Sequence, residues 1–160
     1  MNLRRILTIG VLTAIAGGLL RRYGPVRRFE IAETSMAPSL RPGDYVLTLR
    51  KGALRRGAQV IYEHPMRPEF FLTKRVVGLP GEQVTIREGL VLIDGMPLVE
   101  PWAHDHEGPD GEWDVPRDAV FVLGDDRRCS QDDSRYVGAV PLNRLDFVLG
   151  RYWPLSRANA

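Results

Sequence analysis

Phe70-Phe71-Leu72-Thr73-Lys74-Arg75-Val76-Val77 reads with a period of two. Phe70, Leu72, Lys74 and Val76 share one face, and Arg75 turns to the other, as successive side chains of a β-strand do. Outward in both directions the pattern repeats, and glycine or proline interrupts it roughly every eight to twelve residues, the spacing of an all-β domain. Strands are expected over Arg28 to Ala32, Asp44 to Arg50, Gln59 to Glu63, Glu69 to Val77, Gln83 to Arg87, Leu90 to Ile93 and Val120 to Leu123. Asp94-Gly95 is a two-residue hairpin turn between Val91-Leu92-Ile93 and Met96-Pro97-Leu98. Pro80-Gly81 and Glu88-Gly89 end two further strands, and the stretch from Pro101 to Arg117 is expected to be a loop.

The length of 160 residues and an apolar fraction of 44% suit one domain with an appendage. A net charge of +2 gives no strong field for nucleic acid. The lone Cys129 excludes an internal disulfide and a cysteine-rich metal site. His104-Asp105-His106 places its histidines on opposite sides of an extended chain, with no cysteine or third histidine nearby, and reads as a solvated loop. No metal and no cofactor are expected.

Ile6 to Leu20 carries no charge and is bounded by Arg4-Arg5 and Arg21-Arg22. As a helix it reaches ~22 Å, short of a ~30 Å hydrocarbon core unless snorkelling arginines and bilayer thinning make up the difference. The expectation is one short N-terminal transmembrane helix within an anchor of residues 1–24, ahead of a β-rich domain of residues 25–157. A cleavable secretory signal ending near Ala14-Ile15-Ala16 and a buried helix are the alternatives. Arg21, Arg22, Arg27 and Arg28 favour retaining the C-terminal side in the cytoplasm.

Lys74 stands among apolar neighbours. It either snorkels to the rim or loses its proton, because desolvation lowers an ammonium pKa from ~10.4. A lysine brought near ~7 to 8 is a general base at neutral pH. A serine to serve as its partner lies in Glu33-Thr34-Ser35-Met36-Ala37-Pro38-Ser39-Leu40, closed by the turn Arg41-Pro42-Gly43-Asp44, which presents Ser35 at a bend. Serine and lysine together suffice as nucleophile and base. No Gly-x-Ser-x-Gly elbow is present for a Ser-His-Asp hydrolase.

Ser35-Met36-Ala37-Pro38-Ser39-Leu40 with Gly43-Asp44 resembles the nucleophile box of bacterial type I signal peptidases (leader peptidases). Lys74-Arg75-Val76-Val77-Gly78-Leu79-Pro80-Gly81-Glu82 is similar to their lysine box. Gly124-Asp125-Asp126-Arg127, Ser130, Asp133-Ser134-Arg135 and Gly138 resemble their last box. The resemblance implies a mainly β catalytic domain with an antiparallel β-sheet or barrel-like architecture, and a membrane-bound serine endopeptidase with a Ser-Lys dyad. It implies cleavage of N-terminal signal peptides from exported preproteins, bound in extended form, on the outer face of the bacterial cytoplasmic membrane. Ser35 would be the nucleophile and Lys74 the base, with the Ser35 N–H in the oxyanion hole. Ser130 would orient Lys74, Asp133 and Arg135 would brace the site, and Met36 would line the substrate cleft. Membrane lipid is the other expected partner; nucleic acid is not.

Three positions depart from the family pattern. Glu33 stands where glycine or serine is usual, and it is expected to face solvent. Asp126 replaces asparagine. Ser130-Gln131-Asp132-Asp133-Ser134-Arg135 is one residue longer than the usual box, so either Ser130 or Gln131 orients the lysine. A dedicated single-client processing peptidase and an inactive preprotein-binding member remain as alternatives.

Overall fold

The computed structural model describes residues 17–22, 24–105 and 107–154. Its strands are β1 (Val26–Glu30), β2 (Tyr45–Leu49), β3 (Gln59–Glu63), β4 (Phe71–Gly78), β5 (Gln83–Arg87), β6 (Leu90–Ile93), β7 (Met96–Pro97), β8 (Gly111–Asp114), β9 (Ala119–Leu123), β10 (Val140–Pro141) and β11 (Asp146–Trp153). Seven form one sheet in the order β1-β2-β11-β3-β4-β9-β10, and four form a second in the order β7-β6-β5-β8. Every pairing is antiparallel.

The expected alternation builds the core. Leu72 and Val76 of β4 pack with Val60, Tyr62, Val120 and Val122 on one side of the large sheet. Val77, on the opposite face, joins Phe121, Leu123, Val84 and Ile86 between the two sheets. Gly78 permits this closure, since a Cβ there would lie 2.5 Å from Val84 Cγ2. Asp94 and Gly95 both take positive φ, as do Glu88 and Gly89, so two-residue hairpin turns join β5 to β6 and β6 to β7.

The large sheet remains open rather than closing as a barrel, and β1 is one of its edges. It bends enough for Phe29 of β1 to meet Phe71 of β4, with ring centroids 5.2 Å apart. The segment expected to be a loop from Pro101 to Arg117 includes β8, which pairs with β5. β10, β11 and the short helix Ser134–Val137 also lie outside the expected elements.

Residues 17–22 are helical. Most of the anchor expected within residues 1–24 lies outside the described residues. Among the described residues no helix is long and apolar enough to cross a membrane.

Candidate active site

Ser35 sits on the loop between β1 and β2, over a cluster of Ile31, Met36, Leu40, Val46 and Ile61. The loop is closed as its sequence requires. Asp44 N–H donates to Arg41 O at 3.0 Å, and Gly43 supplies a φ of 83°. The buried Asp44 carboxylate accepts from the Arg41 N–H at 2.9 Å and from Arg151 Nη1 at 3.0 Å. The far side is held by a backbone bond, Asp126 N–H to Ser35 O at 3.0 Å. Gly124 allows that approach, because a Cβ there would stand 2.7 Å from Ser35 O and 2.5 Å from Ser130 Oγ.

Lys74 comes from β4 and is 1% exposed; Ser35 is 3% exposed. Lys74 therefore does not snorkel to the rim. Its Nζ lies 2.8 Å from Ser35 Oγ. Burial lowers the lysine pKa, opposed by the charges of Asp133, Glu33 and Asp132 and assisted by that of Arg135. A neutral amine at this distance can take the hydroxyl proton.

Asp133 and Arg135 form the expected buried pair. Asp133 caps the helix Ser134–Val137 through the Arg135 N–H, and its carboxylate also receives Arg135 Nε and Nη2, each at 2.9 Å. Arg135 Nη2 donates onward to Arg127 O at 2.8 Å and Ser130 O at 2.9 Å. Ser130 is buried, but its hydroxyl donates to Asp133 Oδ2 at 2.7 Å rather than to the lysine. Gln131 is exposed, so the extra residue of this box is accommodated by an outward turn ahead of the helix.

Ser130→Ala is consequently expected to lower stability by about 1–3 kcal/mol and to slow any reaction that depends on Lys74, by removing one of the three donors to Oδ2 of a buried carboxylate. Gln131→Ala should leave both within about 0.5 kcal/mol of the parent. Denaturation and turnover of the two variants decide it: a silent Ser130→Ala beside a crippled Gln131→Ala would transfer the role to Gln131.

A second brace carries no role in the sequence reading. Arg75, facing away from Lys74, makes a two-pronged pair with buried Asp125 at 2.7 and 2.6 Å and reaches Ser39 Oγ at 3.1 Å. β4 thus aims the lysine with one face and ties down the serine loop with the other. The signal was the adjacency of Arg75 to Lys74 on opposite faces, together with an Asp in Gly124-Asp125-Asp126-Arg127.

Ser35 opens onto a cleft of about 60 Å³ lined by Ile31, Ala32, Glu33, Met36, Phe71 and Thr73. Met36 borders the cleft while remaining almost wholly within the core below it. Glu33 is exposed, as expected, and none of the described residues accepts the Ser35 N–H.

An antiparallel β scaffold that buries a serine against a desolvated lysine defines the class of a serine hydrolase. The sequence comparisons particularise it. The family model for signal peptidase, peptidase S26, matches residues 3–152. A signal peptidase I from Leptolyngbya laminosa is 35% identical over 95% of this chain and 80% of its own length. A probable signal peptidase I-2 from Synechocystis sp. is 33% identical over 95% of this chain and 70% of its own. The crystal structure of a signal peptidase I from Enterococcus faecalis superposes with a TM-score of 0.54 at 28% identity, covering 61% of this chain and 97% of that one. The chain belongs to the signal peptidase family, peptidase S26, and is a serine peptidase of the signal peptidase I type.

Proposed function

We propose that the protein is a membrane-held endopeptidase that removes N-terminal signal peptides from exported preproteins, with Ser35 as nucleophile and Lys74 as base. The observation that carries this reading is the 2.8 Å contact between buried Lys74 and Ser35, which lines a cleft. Ser35 Oγ attacks the scissile carbonyl carbon as Lys74 Nζ takes its proton, and the oxyanion faces the Ser35 N–H. The Lys74 ammonium then protonates the leaving amine as the C–N bond breaks. A water gives a proton to Lys74 and attacks the acyl ester; as the ester C–O bond breaks, the Lys74 ammonium returns that proton to Ser35 Oγ and the acyl product leaves as a carboxylic acid.

The substrate runs extended along β1, whose outer edge pairs with no other strand among the described residues, so that it adds to the sheet and reaches the cleft with alternate side chains. A volume near 60 Å³ admits small side chains such as alanine. Residues 1–24 act as the anchor and residues 25–157 as the catalytic domain, on the outer face of the cytoplasmic membrane.

Incubating the purified chain with several unrelated preproteins tests the reading. Cleavage of most of them at the signal junction is the expected result. Cleavage of a single one makes it a dedicated processing enzyme, and binding without cleavage makes it an inactive relative.

A further inference from the structure

A charged cavity adjoins the Ser35 cleft, sharing Phe71 with it, and contains neither Ser35 nor Lys74. It holds about 510 Å³ and is lined by Arg27, Arg50 and Arg144 together with Glu63, His64 and Asp146. We propose that it binds the phosphate of an anionic lipid headgroup, an inference that rests on the membrane-held reading above.

Three guanidiniums face two carboxylates. Asp146, buried, shares one oxygen between Arg27 Nη1 at 2.6 Å and Arg50 Nη1 at 3.7 Å. Glu63 is engaged in accepting the Glu69 N–H at 2.7 Å. Arg144 is exposed and has no hydrogen-bond or ion-pair partner among the described residues. One positive charge is left over, which is what a phosphodiester neutralises. The guanidinium fork also matches phosphate oxygens better than a point charge does. The side chains of Arg27 and Arg50 are 39% and 43% exposed, so both remain accessible to a ligand.

Position selects lipid as the source of the phosphate. The register Val26↔Leu49 and Phe147↔Leu49 puts Arg27, Arg50 and Asp146 at the end of the sheet where the chain arrives from residues 17–22. A Cβ on Gly24 would lie 3.0 Å from Arg50 Cβ, so the connecting segment runs along that arginine. Leu19, Leu20 and Val26 expose apolar surface at the same end. Apolar side chains beside basic ones at the exit of an anchor place the cavity at headgroup depth.

The full chain in neutral detergent should unfold at progressively higher temperature when titrated with short-chain phosphatidylglycerol, and the effect should saturate. Short-chain diacylglycerol, which lacks the phosphate, and inorganic phosphate should not reproduce it. Arg144→Gln should weaken the apparent affinity about fivefold, one cation's share near a membrane surface, while Arg144→Lys, which keeps the charge without the fork, should weaken it less. An equal response to inorganic phosphate or to diacylglycerol would overturn the lipid assignment, as would an unchanged affinity in Arg144→Gln. A raised KM for preproteins in lipid-free Arg144→Gln would make the cavity part of the substrate path instead. The binding readout needs no turnover, so a retained lipid response beside an inert preprotein panel would sink the peptidase reading alone.

Discussion

Lys74→Ala should lower cleavage by about four to six orders of magnitude, and Ser35→Ala by as much. The double variant should be no worse than either, because nucleophile and base act as one unit. Lys74→Arg should be as inactive, since a guanidinium keeps its proton. Single-turnover rates on a preprotein check all four, and substantial turnover by Lys74→Arg would remove Lys74 as the base. The lowered lysine pKa adds a pH signature: cleavage should rise with pH along a limb lying below the ordinary lysine value of ~10.4. Stability follows the same proton. Below pH ~10.4 the unfolded chain binds a proton at Lys74 that the folded chain holds less tightly, so the burial cost is largest below the lowered folded pKa, fades as pH rises from there, and is gone above ~10.4. Lys74→Met should therefore unfold at a higher temperature than the parent at neutral pH, by a margin that shrinks toward pH ~10. A margin that grew with pH would mean that the native site favours the ammonium.

Asp133→Ala is expected to cost about 3–5 kcal/mol, the range for removing one partner of a buried ion pair. The mutation strands the guanidinium of Arg135 in a region where its side chain is 2% exposed. It also uncaps the helix Ser134–Val137 and leaves the Ser130 hydroxyl and the Gly124 N–H without their acceptor. Gly124 adjoins the carbonyl of Ser35, so cleavage should fall along with stability. Urea unfolding monitored by tryptophan fluorescence measures the loss. Asp133→Asn keeps the shape without the charge and should fall between the two. A cost under about 1 kcal/mol for the alanine variant would show that Arg135 finds other acceptors.

Alternation, turn chemistry and the loop that presents Ser35 were legible in the sequence. The period of two in Phe70 to Val77 assigned Lys74 and Arg75 to opposite faces, and the backbone has no other way to place adjacent strand residues. Asp94-Gly95 and Pro42-Gly43 determined their turns because few other residues adopt the required φ. Tertiary structure decided the rest. β8, Gly111–Asp114, has little intrinsic strand character and exists because β5 offers it an edge. β11 alternates less clearly because its register shifts twice, between Val148 and Gly150 and between Arg151 and Trp153, while β2 holds it in the sheet. The desolvation of Lys74 depends on the strands packed around β4, and its 2.8 Å approach to Ser35 joins residues 39 positions apart. That Ser130 is buried and Gln131 exposed, and that Asp133 rather than Lys74 receives the Ser130 hydroxyl, turned on how residues 130–133 fold ahead of the helix Ser134–Val137. Local sequence specifies the residues able to make such bonds; the packing of distant strands determines which of them are brought within reach.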